Sequence, residues 1–419
     1  MNANSKRQKA GILMIDTCLI LVATSLPFNT LINSYCILLF AVVSFFTSGL
    51  SKKWLHLRKN RSLYIWPVCY FAWIAIRLIW DKSPNNTDRT LETGFSFLVF
   101  PLLFGSMESQ NSLTIKKVLV SFVAANIAGS AFCLWKAYLD YKESNYFNLL
   151  FYHHLSGHIG ISAIYFSMYC VFSIYILFYY FLLNKAGWWT RILCMLCIGY
   201  LGVFIMMLSS KTFIFLLYLS ALIVVVYSLY HWKYKLSMAV MLLLLIAIPL
   251  FLIKLPYLNA RVRDTQVKEY TGVSDDQNGI AVRGVFWESS WKLIRMAPIA
   301  GWGHFSATDA LQLEYLKRGF ADAAKQKYNS HNQYLFTWLC YGLIGLTILS
   351  FFLGQLIKFF FQKNHFIGIC LVLMFVLANI TECMLETHKG IVFFLFFSSL
   401  IGFSLSAGPN GDNRTSYIE

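Results

Sequence analysis

Charge is what this sequence has least of. Asp, Glu, Lys and Arg make up 13% of the 419 residues, about half the share found in soluble domains. Acidic side chains are the scarcer kind, 19 against 35 Lys and Arg, and the formal net charge is +16. With 58% hydrophobic residues and a mean hydropathy of +0.58, the composition excludes a disordered chain, a secreted disulfide scaffold and a soluble two-domain enzyme. The expected class is an all-α polytopic membrane protein.

Missing motifs narrow the chemistry. No G-x-x-x-x-G-K-[ST] loop is present, which argues against an ATP-driven pump. No D-x-D pair falls on a loop of the outer face, so metal-dependent sugar transfer of the usual kind lacks its ligands. The run Trp188-Trp189-Thr190 lacks the aspartate of a W-W-D motif. The 10 cysteines sit in or beside apolar runs and read as small hydrophobes. Cys194 and Cys197 have C-x-x-C spacing but no second pair, so neither redox nor zinc chemistry is expected. No small-residue cleavage site follows the basic start (Lys6, Arg7, Lys9), which reads as an uncleaved first span. The remaining cations flank membrane segments, a poor arrangement for nucleic acid.

What is abundant is apolar sequence in lengths near the 20 residues that a spanning helix needs. Twelve segments qualify: 11–26, 31–50, 63–80, 91–107, 117–139, 159–183, 191–210, 212–230, 236–255, 332–357, 366–381 and 389–406. With the N-terminus inside, seventeen Lys and Arg fall on cytoplasmic segments and six on the short loops opposite, so both termini are expected in the cytoplasm. Three regions follow: 1–255 with nine helices, a large periplasmic loop over 256–331, and 332–419 with three helices and a cytoplasmic tail. Within the loop, Trp287, Trp291 and Ile294 fall at i, i+4 and i+7, which predicts an interfacial amphipathic helix between Gly284 and Met296.

Charged residues at membrane edges are costly and therefore informative. Asp16 lies one turn into the first span, where the interface explains it. Arg77 ends the third span, where snorkelling and substrate contact explain it equally. Lys211 occupies a tight joint, Ser209-Ser210-Lys211-Thr212, with no acidic residue nearby in sequence. Arg261 follows the ninth span and Arg283 opens the loop helix; arginine's planar fork suits phosphate oxygens. His331 stands where the loop returns to the membrane, in Asn329-Ser330-His331-Asn332-Gln333. Ser330 is the candidate helix cap there, Asn332 an orienting or substrate-binding group, and the imidazole a base matched to neutral pH. His153, His154 and His158 cluster on another outer loop without the carboxylate or H-E-x-x-H pattern of a metal site.

Several of these pieces together resemble the O-antigen ligase and polymerase superfamily, the bacterial WaaL-like and Wzy-like membrane glycosyltransferases. They are the joint Ser210-Lys211-Thr212, the segment Arg283 through Trp287, and the turn Pro298-Ile299-Ala300-Gly301-Trp302-Gly303. To these are added the stretch from His331 to Leu335, Tyr341 to Gly345, the tail Thr381 to Glu386, and Phe97 to Pro101. The resemblance covers about 200–400 and implies a helical fold on a plan like the GT-C glycosyltransferases. It implies transfer of a glycan from an undecaprenyl diphosphate carrier to a hydroxyl of lipid A core, another lipid-linked glycan or a comparable acceptor, without metal or cofactor.

By the same resemblance, Lys211 and Arg283, with Arg261 less firmly, hold the diphosphate, and His331 activates the acceptor. The family joint often carries arginine where this chain has Lys211. A ligase is the leading expectation. Polymerization, transfer to protein hydroxyls and transport of a lipid-linked sugar are the alternatives, although no inverted repeat supports transport.

Overall fold

The computed structural model describes residues 3–47, 50–81, 87–108, 110–183, 187–231 and 280–406. Every regular element among them is helical. In chain order the α-helices are α1 (Ala3–Ser25), α2 (Thr30–Thr47), α3 (Leu50–Lys59), α4 (Arg61–Ile79), α5 (Thr87–Gly94), α6 (Ser96–Ser106), α7 (Ser112–Ser144), α8 (Tyr152–Gly157) and α9 (Ala163–Leu177). They continue as α10 (Trp188–Leu208), α11 (Lys211–His231), α12 (Ile280–Met296), α13 (His304–Lys317), α14 (Ala321–Lys325), α15 (Gln333–Gln362), α16 (Phe366–Ala378) and α17 (His388–Ser406).

Among the described residues, 7 helices are long and apolar enough to cross a membrane: α2, α4, α7, α9 with its continuation to Tyr180, α10, α15 and α17. Shorter apolar helices at Ala10–Ser25, Thr90–Ser106, Lys211–Ile223 and Phe366–Ala378 coincide with four more of the expected spans. The ninth expected span, 236–255, lies outside the described residues. Large apolar side chains such as Leu31, Tyr35, Phe46, Trp189 and Leu196 are exposed, as suits helices whose outer faces meet hydrocarbon rather than water. This is a multi-pass membrane protein.

The core is built on α17. Every residue from Lys389 to Phe403 is buried, the mark of a helix surrounded on all sides. Aromatic rings lock it to its neighbours: Phe394 stacks on Phe375 of α16 at 4.0 Å, and Phe397 meets Phe122 of α7 edge-on at 4.9 Å. At its start Lys389 donates to the carbonyls of Leu26 and Phe28, tying α17 to the turn between α1 and α2. Asp16 accepts from Thr114 at 2.9 Å, so this carboxylate joins α1 to α7.

One end of the assembly is capped by the loop helices. α12 packs on α13 and α15. Its buried stripe is Val282, Phe286, Ser289, Ser290, Leu293 and Ile294. The expected helix is present; of the three apolar positions read from its spacing, Ile294 is buried, Trp287 half-buried and Trp291 41% exposed. The physical reason is that α12 buries itself against protein, where phenylalanine and small serines fit closely, so the bulky indoles are left at the edge. Trp291 instead meets Trp338 edge-on and carries Arg295 over its ring.

α15 is broken at Gly342, whose φ of 70° and ψ of −175° are non-helical. The break lets the turn after α12 reach the helix backbone: Trp302 and Gly303 donate to the carbonyls of Leu339 and Cys340, and Leu343 donates to Pro298. A Cβ on Gly342 would collide with the carbonyl of Ile299. Arg77 at the end of α4 donates to the Gly301 carbonyl at 3.0 Å. Asp81 caps α13, accepting from the amides of Phe305 and Ser306.

Candidate functional site

Two chain segments are stitched together at this end. The first is the return from the loop into α15; the second is the link 379–387 between α16 and α17. The Gln333 amide donates to the Asn379 carbonyl, and the Leu385 amide donates to Oε1 of Gln333 at 2.8 Å. The start of α15 is capped by Asn332, whose side-chain oxygen accepts from the amides of Tyr334 and Leu335, both at 3.0 Å. Asn332, not Ser330, is therefore the cap. A carboxamide at that position reaches both donors, while the Ser330 hydroxyl is fully buried and donates to the Asn332 carbonyl instead.

This stitching brings Glu382 to His331. Oε2 of Glu382 lies 3.4 Å from Nδ1 of His331, and Oε1 accepts from Nη2 of Arg283 at 2.6 Å. One carboxylate from the link thus bridges a cation on α12 and an imidazole on the returning loop. Glu382 is buried. A carboxylate in such a place is stable only when paired, and the Arg283 contact has the short length of a charge-assisted bond. The neighbouring Thr381 shares a 2.8 Å hydrogen bond with Thr212 of α11. Lys211, the first residue of α11, is thereby placed beside the same link.

The imidazole is held from several sides. Phe286 stacks on it at 5.6 Å and 18°, and Tyr328 meets its edge at 5.6 Å. Its backbone has a φ of 46°, a left-handed conformation that costs a non-glycine residue about 1–2 kcal/mol. Asn329 offsets part of that cost by accepting the His331 amide at 3.0 Å. His331 keeps a partly exposed side chain, 23% accessible. The tautomer that carries its proton on Nδ1 would donate to Glu382 and leave Nε2 free to accept. Cys383, beside Ser330, is buried, and burial, then the nearby Glu386 charge, push its thiol far above the ordinary value.

Of the residues singled out from sequence, the structure gathers Lys211, Arg283, His331 and Asn332 at one end of the helices around the 379–387 link. Arg77 reaches the same end but spends one donor on Gly301. Arg261 lies outside the described residues. The histidines near α8 make local contacts: His153 accepts from the Ala163 amide at 3.3 Å, and His158 lies 3.6 Å from Asp140. Glu382 is the residue that sequence reasoning missed as a site member. Its signal was available, since Glu382 and Glu386 are carboxylates between two apolar runs in a chain with only 19 acidic residues.

Comparison with known proteins adds a family. No curated protein matches the chain. Residues 193–350 match the family model described as O-antigen ligase. The matched stretch holds Lys211, Arg261, Arg283, His331 and Asn332, and it ends before Glu382. Over residues 193–350 the chain is similar to the O-antigen ligase family, which supports a place in the O-antigen ligase and polymerase superfamily.

Proposed function

We propose that this protein transfers a glycan from an undecaprenyl diphosphate carrier to an acceptor hydroxyl, as a ligase of surface polysaccharide. The observation that carries the proposal is the Arg283–Glu382–His331 contact. Nε2 of His331 takes the acceptor proton, the freed oxygen attacks the anomeric carbon, and the bond from that carbon to the diphosphate oxygen breaks. The electron pair leaves with the diphosphate. Arg283 and Lys211 offset its growing charge, with Arg261 as a further cation of the same loop, so side chains take the part that a metal ion plays elsewhere. Glu382 keeps the imidazole oriented and balances Arg283 between turnovers. Asn332 fixes the start of α15, and with it the position of His331.

The twelve-span topology belongs to this reading, in a bacterial inner membrane with both termini in the cytoplasm and the site on the periplasmic face. It is supported by the distribution of Lys and Arg and by the convergence of the site residues at one end of the helices. The decisive experiment supplies purified protein with defined undecaprenyl diphosphate glycans and a panel of acceptors, in chelator-treated buffer. Glycan joined to a lipid A core acceptor supports the ligase. Joining of one carrier-linked repeat to another makes the protein a polymerase, joining to protein hydroxyls makes it a protein glycosylating enzyme, and movement of donor between leaflets without any new glycosidic bond contradicts transfer altogether.

A further inference from the structure

A second carboxylate–imidazole pair stands next to the first and takes no part in the proton transfer assigned to His331. His304 opens α13, and Glu386 follows Glu382 on the same link. Nδ1 of His304 is 3.9 Å from Oε2 of Glu386 and 3.3 Å from the Tyr341 hydroxyl. The first distance is too long for a hydrogen bond, so the imidazole does not satisfy Oε2 of Glu386. Oε1 of Glu386 is fixed by Nε2 of Gln333 at 2.9 Å, and Gln333 also donates to Thr337. Gln333 and Thr337 are completely buried, whereas His304 and Glu386 keep 16% and 17% of their side chains accessible. The pair is therefore anchored from behind, with an edge of each side chain left accessible.

The geometry points to a sugar-binding subsite: Glu386 and His304 take neighbouring ring hydroxyls of a pyranose next to the reacting bond. Oε2 of Glu386 accepts from one hydroxyl, and the His304 ring bonds the other. Location supports this assignment. Gln333, which anchors Glu386, is two residues from His331, and Glu386 is four residues from Glu382, so the pair flanks the proposed base rather than lying on a distant surface. The buried rings of Tyr341 and Phe336 pack on His304 and hold the imidazole in place behind its accessible edge. Hydroxyl-bearing ligands suit such a site, and both the donor and the acceptor carry ring hydroxyls.

The inference rests on the glycan-transfer reading, and the test separates the two. Purified wild-type protein is assayed with undecaprenyl diphosphate glycans, and separately with acceptors, in which single ring hydroxyls are replaced by hydrogen. One such deletion should raise KM by about 10- to 100-fold with little change in kcat, as expected for a lost hydrogen bond to a charged group. Whether the sensitive hydroxyl is on donor or acceptor assigns the sugar. Glu386→Gln and His304→Ala should raise the same KM and then show no further loss with the deleted substrate. A tie between α13 and the link that serves structure alone would leave hydroxyl discrimination intact, and that result overturns the subsite. So does a wild-type protein indifferent to every deletion, a measurement that needs no variant to fold. Absence of transfer by wild-type protein overturns the reading and the subsite together.

Discussion

His331 owes its orientation to a side chain 51 positions further along the sequence. Glu382 holds the imidazole and neutralizes Arg283, so Glu382→Gln should keep the protein folded while lowering kcat by about 10- to 100-fold, measured as initial transfer rates at saturating donor. A change confined to KM would deny it an orienting role. Lys211→Ala should weaken donor use, and Lys211→Arg should restore most of it, because charge rather than fork geometry is what the joint supplies. Equal damage from both substitutions would contradict that. His331, Lys211 and Arg283 stand out in the sequence as candidates because a cation or imidazole at the edge of an apolar run is costly to keep. The pairing with Glu382 does not, because it depends on how 379–387 folds against the start of α15, and no spacing within either segment encodes it.

Among elements, the contact between α12 and α13 is the one most open to test. Glu314 is buried and bonded to Lys292 at 2.8 Å and to Arg318 at 3.2 Å. The Lys292 hydrogen bond is the largest influence holding its carboxyl below the usual range. Because the folded value is depressed, the stabilization is fully present above the unfolded value and is lost as pH falls through the folded one. Glu314→Gln should loosen α13 by about 1–2 kcal/mol at neutral pH, allowing for the solvent exposure of Lys292. Hydrogen exchange of α13 amides reads this, and the difference from wild type should shrink toward acid pH.

Gly342→Ala should cost more, about 3 kcal/mol or above, since a Cβ there displaces the Ile299 carbonyl and the turn that leads to His304. Gly157→Ala, with nothing within 4 Å of the added carbon, is the matched control, and thermal melting compares the two. The helix over 280–296 was readable from its apolar spacing. Its buried face was not, since tryptophan marks membrane interfaces as often as packed cores, and only the neighbours of α12 decide between them.

For the whole molecule, the apolar runs were the most readable feature, because lipid demands self-satisfied backbones and lengths near 20 residues. Which end faces the periplasm is a matter of loop charge, and it can be measured in intact bacterial cells. In a cysteine-free background, Lys317→Cys should react with a membrane-impermeant thiol reagent, and Lys363→Cys should react only after the inner membrane is opened. The reverse pattern would invert the topology.

Glycan transfer as proposed needs one proton acceptor, His331. Purified His331→Ala, checked for folding and for retained binding of an undecaprenyl diphosphate glycan, is compared with wild type for the rate of glycosidic bond formation. A loss of at least about 100-fold with donor binding preserved is the predicted result; transfer near the wild-type rate would contradict the account.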